Sequence, residues 1–356
     1  MSSTSLPRIA AWGFLLFFVL GISLQLLSPI FSAWFVQVFV FLCIPWLFFR
    51  FARQAPAKAL GLLAVVPNKA AAGAFLGMLC SFAVVWPLMH WMSHLFPAPW
   101  IERFDGRALF FELEGIERLL MVAAVLLAAP LGEEVFFRGF LQPRLMQRWG
   151  APMGLLATSV LFSLIHIDPV GFLARVALGL LFGWLAYAGG SLWVSIAAHA
   201  AYNLLVCFLF FAVGPEASLG GAAFGQGLLL LWLGVGAGSM LGLLWLLGFS
   251  PPVAFGKPLA PALPPVVWWR LLRPWVLAAG GSFVLLVAVD YRGVALNVFD
   301  TVVTPFPRAA KENPQLQGEM ERMRALRHKA RKGQVALTTY FEFRRQLSLK
   351  LLAPET

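Results

Sequence analysis

The chain has 356 residues, of which 60% are hydrophobic and 12% charged, whereas about a quarter of the residues in a soluble domain are charged. A water-soluble fold has no means of covering that much apolar surface, so lipid must be the solvent for most of the chain. The formal net charge of +11 concentrates in loops and the C-terminal tail, where it reads as orientation and contact with anionic headgroups; no nucleic-acid fold signature accompanies it, and no nucleic-acid partner is expected.

Apolar stretches long enough to span a bilayer fall near 9–27, 33–51, 70–92, 116–140, 151–166, 170–188, 192–213, 225–247 and 272–289. The first is too long and too uniformly apolar for a cleaved signal segment. The fourth is expected to continue as a helix to about Gln147. Lys58–Val66 is too short to cross and reads as an interfacial segment. The fold class is therefore all-α: a polytopic transmembrane helix bundle of about eight to nine spans with a small C-terminal helical extension. Cys43, Cys80 and Cys207 fall in apolar runs with no metal or redox spacing, and read as small packing residues.

Loop charge sets orientation. Arg50, Arg53, Lys58 and Lys69 follow the second span, and Arg144 and Arg148 the fourth, whereas the 93–115 loop mixes in Glu102, Asp105, Glu112 and Glu114. The pattern puts the N-terminus in the cytoplasm. Nine spans would place the basic tail outside, against the charge rule, so the side of the tail stays open.

A proline-dense linker, 249–267, precedes the last span. Beyond Asp290 the composition turns polar. Asn313 before Pro314 reads as a helix start; Leu316, Met320, Met323 and Leu326 then recur at helical spacing, and Gly333 is a stop. A second helix is expected from Thr338 or Thr339, carrying Phe341, Arg344, Leu347 and Leu351. This hairpin suits a protein partner, self-association or a headgroup surface. Four regions result: 1–115, 116–213, 214–290 and 291–356.

Ionisable residues inside the spans carry the chemistry. Each costs about 2.5–3.5 kcal/mol on insertion scales, yet Glu133, Glu134 and Arg138 share one apolar helix. Glu134 and Arg138 lie four apart and can pair. Glu133 points about 100° away, so the two carboxylates occupy different environments, the condition for distinct acid and base roles. Phe162 sits one turn before His166 and can buttress its ring; Asp168-Pro169 reads as a turn and cap. His199 and Asn203 share a face, among alanines that let another helix approach. Taken singly, each has a structural explanation: an ion pair, a core histidine, an interhelical hydrogen bond.

Taken together, Glu133-Glu134-Val-Phe-Phe-Arg138, Phe162-Ser-Leu-Ile-His166 and His199-Ala-Ala-Tyr-Asn203 resemble the three motifs of the CAAX protease and bacteriocin-processing (CPBP, Abi) family of intramembrane endopeptidases, with Gly139 and Leu141 also similar. The resemblance covers about 116–213. It implies that Glu133 is the general base, that His166 holds or shuttles the water proton, and that His199 and Asn203 stabilise the oxyanion. Glu134 acts directly or as the partner of Arg138, with Phe162 in support. Glu133, His166 and His199 are also a candidate zinc set, as in a metalloprotease; both mechanisms stay open. The implied substrate is a membrane-tethered polypeptide: a prenylated C-terminus, a leader or bacteriocin peptide, or a C-terminal sorting tag. The expected location is a bacterial inner membrane. A proton-coupled transporter using the buried Glu/His set, or a catalytically silent scaffold or immunity protein, are the alternatives.

Overall fold

The computed structural model describes residues 5–64, 70–97, 113–213, 234–242, 290–296, 298–303 and 317–352, with single positions within 100–111 and 277–288. The described residues form helices and turns, without a strand. In chain order the helices are α1 (Ser5–Leu24), α2 (Pro29–Phe51), the single turn α3 (Pro56–Ala59), α4 (Ala70–Ser93), α5 (Gly115–Trp149), α6 (Ala151–Leu164), α7 (Phe172–Gly189), α8 (Leu192–Val213), α9 (Gln317–Arg331) and α10 (Leu337–Leu352). Short helical stretches also lie at 234–242 and 290–296.

Among the described residues, five helices are long and apolar enough to cross a membrane: Pro29–Phe51, Ala72–Met89, Gly115–Trp149, Phe172–Gly189 and Leu192–Ala212. Two further apolar helices, Ala11–Leu24 and Ala151–Leu164, match expected spans but are shorter. At 1.5 Å per residue, the 14 residues of α6 reach only about 21 Å, against a hydrocarbon core of about 30 Å. Proline and the Asp168 turn stop it early. The 35 residues of α5 run about 52 Å, on past the expected Gln147 to Trp149. The expected spans 225–247 and 272–289, and the Asn313 cap, lie mostly or wholly outside the described residues, so the count of eight to nine is not established.

The chain divides into two compact units, 1–14 with 37–272 and 15–36 with 273–356. In the first, α7 packs between α6 and α4, and α8 packs on α4, α7 and α5. Their shared core is Ala74, Cys80, Leu178, Leu181, Phe182, Leu185, Val194 and Ala198. Small residues make this possible: a Cβ on Gly77 of α4 would stand 3.1 Å from the Ala198 methyl of α8. Two side chains one turn apart on α5 fix its register against α7. Arg138 Nη2 donates to Gly179 O at 3.2 Å, and Gln142 Nε2 to Gly183 O at 2.9 Å.

The short segment after α2, expected at the interface, packs against the rest of this unit. Leu60 is buried, and its carbonyl lies where a Cβ of Gly139 would come within 2.9 Å. Trp193 Nε1 donates to Leu62 O at 3.0 Å. Only glycine at 139 lets the two backbones approach this closely.

In the second unit α9 and α10 form the expected hairpin, turning at Gly333 with φ +74°. Leu296, Met320, Met323, Ala330, Tyr340 and Leu347 form its core. Asp300, on a π-helical turn (Phe299–Val303), ties the hairpin together. It accepts from Tyr340 Oη at 2.6 Å and Arg327 Nε at 2.7 Å, and pairs with Arg344 Nε at 3.1 Å. Burial, followed by the Asp300 carboxylate, pushes the Tyr340 phenol above its ordinary range. A group that titrates higher when folded contributes stability below its unfolded pKa, about 10 for tyrosine, and loses it as pH rises. Native-state hydrogen exchange of 317–352 should therefore lose protection above about pH 10, and Tyr340→Phe should flatten that dependence. A hairpin equally protected on both sides of that pH would show that Tyr340 ionises freely.

Candidate active site

All the motif residues lie in the first unit. Glu133 and Glu134 sit in a short α-helical stretch of α5, Ala129–Glu134, between two π-helical turns, Ala124–Ala128 and Val135–Leu141. Such turns shift the side-chain register by about one residue and recur at functional sites. Arg138 lies in the second of them. Glu133, Glu134, Arg138 and His199 are all buried.

Glu134 is fully enclosed, with 0% exposure. Its Oε1 forms an ion pair with Arg138 Nη1 at 3.0 Å and accepts a hydrogen bond from His199 Nδ1 at 2.9 Å, and Oε2 accepts from Ser195 Oγ. Arg138 in turn lies over Phe162, its Cζ 4.5 Å from the ring centroid. Thus both oxygens of Glu134 accept a hydrogen bond, and the Arg138 guanidinium pairs with its charge. It also fixes His199: since a carboxylate only accepts, Nδ1 carries the proton, and Nε2 is the nitrogen left for chemistry. Phe182 stacks on the His199 ring at 4.7 Å and 19°, preventing rotation.

Glu133 differs. Gln37 Nε2 donates to its Oε1 at 3.0 Å, and Oε2 has no partner among the described residues. A carboxylate held by one neutral donor has a free oxygen with which to take a proton.

Phe162 joins the two histidines. Its ring centroid is 5.2 Å from that of His166 and 6.2 Å from that of His199. His166 Nδ1 donates to Phe162 O at 2.8 Å, which leaves its Nε2 open and exposed at the end of α6. The loop that follows is held firmly. Asp168 Oδ1 accepts from the Val170 and Gly171 amides at 2.9 and 3.2 Å, and Arg175 pairs with the same carboxylate. Between them Ile167 takes φ +50°, a left-handed conformation that β-branched residues avoid.

Asn203 is only partly committed to the pocket. Its Nδ2 donates to Val125 O at 2.8 Å, in the first π turn of α5, which leaves one amide hydrogen over. The zinc set fits poorly. Among the described residues no three His, Cys, Asp or Glu side chains converge to hold a metal.

Two residues were not singled out from sequence, Gln37 and Ser195. Gln37 had a signal: it is the one strongly polar residue in the apolar run 33–49. Ser195 had none, because serine in a membrane helix commonly bonds its own backbone.

Residues 115–205 match a family model described as Type II CAAX prenyl endopeptidase Rce1-like. The match bears out the family resemblance carried by the three motifs, and the matched family is one of peptidases. No curated protein and no solved structure matched the chain.

Two stability predictions follow from these contacts. Breaking a buried ion pair by removing one partner typically costs about 3–5 kcal/mol, so Arg138→Ala should lower the melting temperature in detergent well below that of Asn203→Ala; equal values would mean that Arg138 is solvated. Ile167→Gly should raise stability by about 1 kcal/mol by relieving the left-handed strain. A lower melting temperature for that variant would show that the loop does not hold Ile167 in this conformation.

Proposed function

We propose that the protein is an intramembrane endopeptidase that hydrolyses a peptide bond near the terminus of a membrane-tethered polypeptide. The observation that carries this reading is the contrast between the adjacent carboxylates, one saturated and one with a free oxygen. The family match over 115–205 and five spanning-length apolar helices support it. The shortness of α6 supports it further: a helix of about 21 Å that starts at one interface ends within the hydrocarbon, and His166 lies just past that end.

In the proposed reaction a water donates its proton to Glu133 Oε2 as its oxygen attacks the scissile carbonyl carbon. His166 Nε2 holds that water. The tetrahedral oxyanion is met by His199 and by the remaining amide hydrogen of Asn203. In its imidazolium form, His199 donates from Nε2 while Nδ1 stays on Glu134. Collapse of the intermediate breaks the C–N bond, and the carboxylic acid of Glu133 returns the proton to the departing amine. Glu134, Arg138 and Ser195 orient His199, and Phe162 spaces the two imidazoles.

The name of the matched family points to a prenylated C-terminus as the first substrate class to test. The C-terminal hairpin closes its charges on itself through Asp300, and we assign it to partner recruitment or self-association.

The test is cleavage of a quenched farnesylated CAAX reporter, alongside mass mapping of the C-termini of co-purified membrane polypeptides. Glu133→Ala, His166→Ala and His199→Ala should each reduce product by at least about a hundredfold, the scale of general acid–base catalysis, with unchanged elution in detergent. Cleavage retained by Glu133→Ala overturns the mechanism. Proton flux into vesicles with no cleaved product would favour a relay instead.

A further inference from the structure

The matched segment begins at residue 115, yet the contact to Glu133 comes from far outside it. Gln37 lies on α2, 96 positions away in sequence, within a π-helical turn spanning Val36–Leu42. It is 8% exposed, and its Nε2 supplies the hydrogen bond to Glu133 Oε1. Its other amide atom, Oε1, is buried without a hydrogen-bond partner. An amide in an apolar helix that satisfies only one end is unfavourable by roughly 1–3 kcal/mol, which asks for a reason beyond packing.

Gly132, directly before Glu133, shows how the contact is built. A Cβ there would stand 2.5 Å from Gln37 Oε1, 3.0 Å from Gln37 O and 3.3 Å from Gln37 Cα. The α2 backbone therefore approaches α5 at a residue with no side chain, and the amide reaches past it to the carboxylate. Any larger residue at 132 would push Gln37 away.

We propose that Gln37 is the positioning residue of Glu133, and that α2 is part of the active site rather than scaffold. The amide clamps Oε1 and so fixes which oxygen faces the water. As a neutral donor it orients the carboxylate without placing a second cation on it, in contrast to Arg138 on Glu134. Arg138 on α5 and His166 beyond α6 are the charged or titratable groups that interact with Glu133 electrostatically. Neither forms a hydrogen bond with it, so orientation falls to Gln37. The inference rests on the reading of Glu133 as the base.

The test uses the full chain in detergent. Gln37→Met preserves length and apolar packing but removes the donor, and Gly132→Ala displaces Gln37 without altering it. Both should lower kcat on the farnesylated reporter by roughly ten- to a hundredfold, the scale of a misplaced catalytic group, with KM within about twofold of wild type. A readout independent of substrate is the infrared carboxyl band that Glu133→Gln abolishes; it should shift in Gln37→Met. Wild-type kcat and an unmoved band in folded Gln37→Met overturn the proposal while leaving the role of Glu133 intact. If Glu133→Ala still cleaves, both readings fall. If Gln37→Met does not fold, Gly132→Ala alone decides, through the same band and the same kcat.

Discussion

Everything at the centre of the first unit depends on keeping the Glu134 carboxylate charged in a place from which water is excluded. A buried charge is tolerated only when paired and fully hydrogen-bonded. Glu134 is paired with Arg138 on its own helix, and its two oxygens accept hydrogen bonds from Ser195 and His199 on α8. Each partner is placed by another constraint. Arg138 needs the Gly179 carbonyl of α7 and the face of Phe162. His199 needs the stacked ring of Phe182. A single carboxylate thus ties α5 to α6, α7 and α8, and the chemistry is left to the neighbouring one.

The helices reach this arrangement by departing from regular α geometry. The described π-helical turns lie at Val36–Leu42, Ala124–Ala128, Val135–Leu141 and Phe299–Val303. Gln37, the Val125 carbonyl, Arg138 and Asp300 lie in them, one in each. A π turn shifts a side chain out of the 3.6-residue register and leaves a backbone carbonyl for another donor. Asn203 takes up the Val125 carbonyl in just this way. In an apolar medium, where every backbone group must find a protein partner, these distortions persist only where a side chain compensates them. The same device appears in the tail, where Asp300 holds a hairpin with no motif residue.

The site and the C-terminal hairpin carry their charges differently. Around the site, charge is enclosed and matched. In the hairpin, Arg327, Arg331 and Lys350 pair with Asp300, Asp290 and Glu319 at partly exposed positions, where such pairs contribute little to stability. Its fold rests instead on Leu296, Met320, Met323, Tyr340 and Leu347, with Asp300 as the half-buried polar tie.

Hydropathy alone determined the helical class, because lipid admits little else for so apolar a chain, and residue spacing determined that Glu134 and Arg138 pair and that Phe162 lies beside His166. The three motifs were legible for the same reason: ionisable groups in apolar runs are expensive enough to stand out. Sequence also set the tail hairpin and its Gly333 turn. It did not set what crosses between helices. That Gln37 meets Glu133, that Ser195 and His199 both serve Glu134, and that Asn203 turns to Val125 depend on helix crossings and on register shifts at π turns, neither of which has a local sequence signature. The zinc set looked feasible by residue type, but among the described residues its side chains do not converge to hold a metal. Helix length was decided there too: the apolar run 151–166 reads as a span, and the Asp168 turn, fixed by Arg175 and two backbone amides, ends the helix at Leu164.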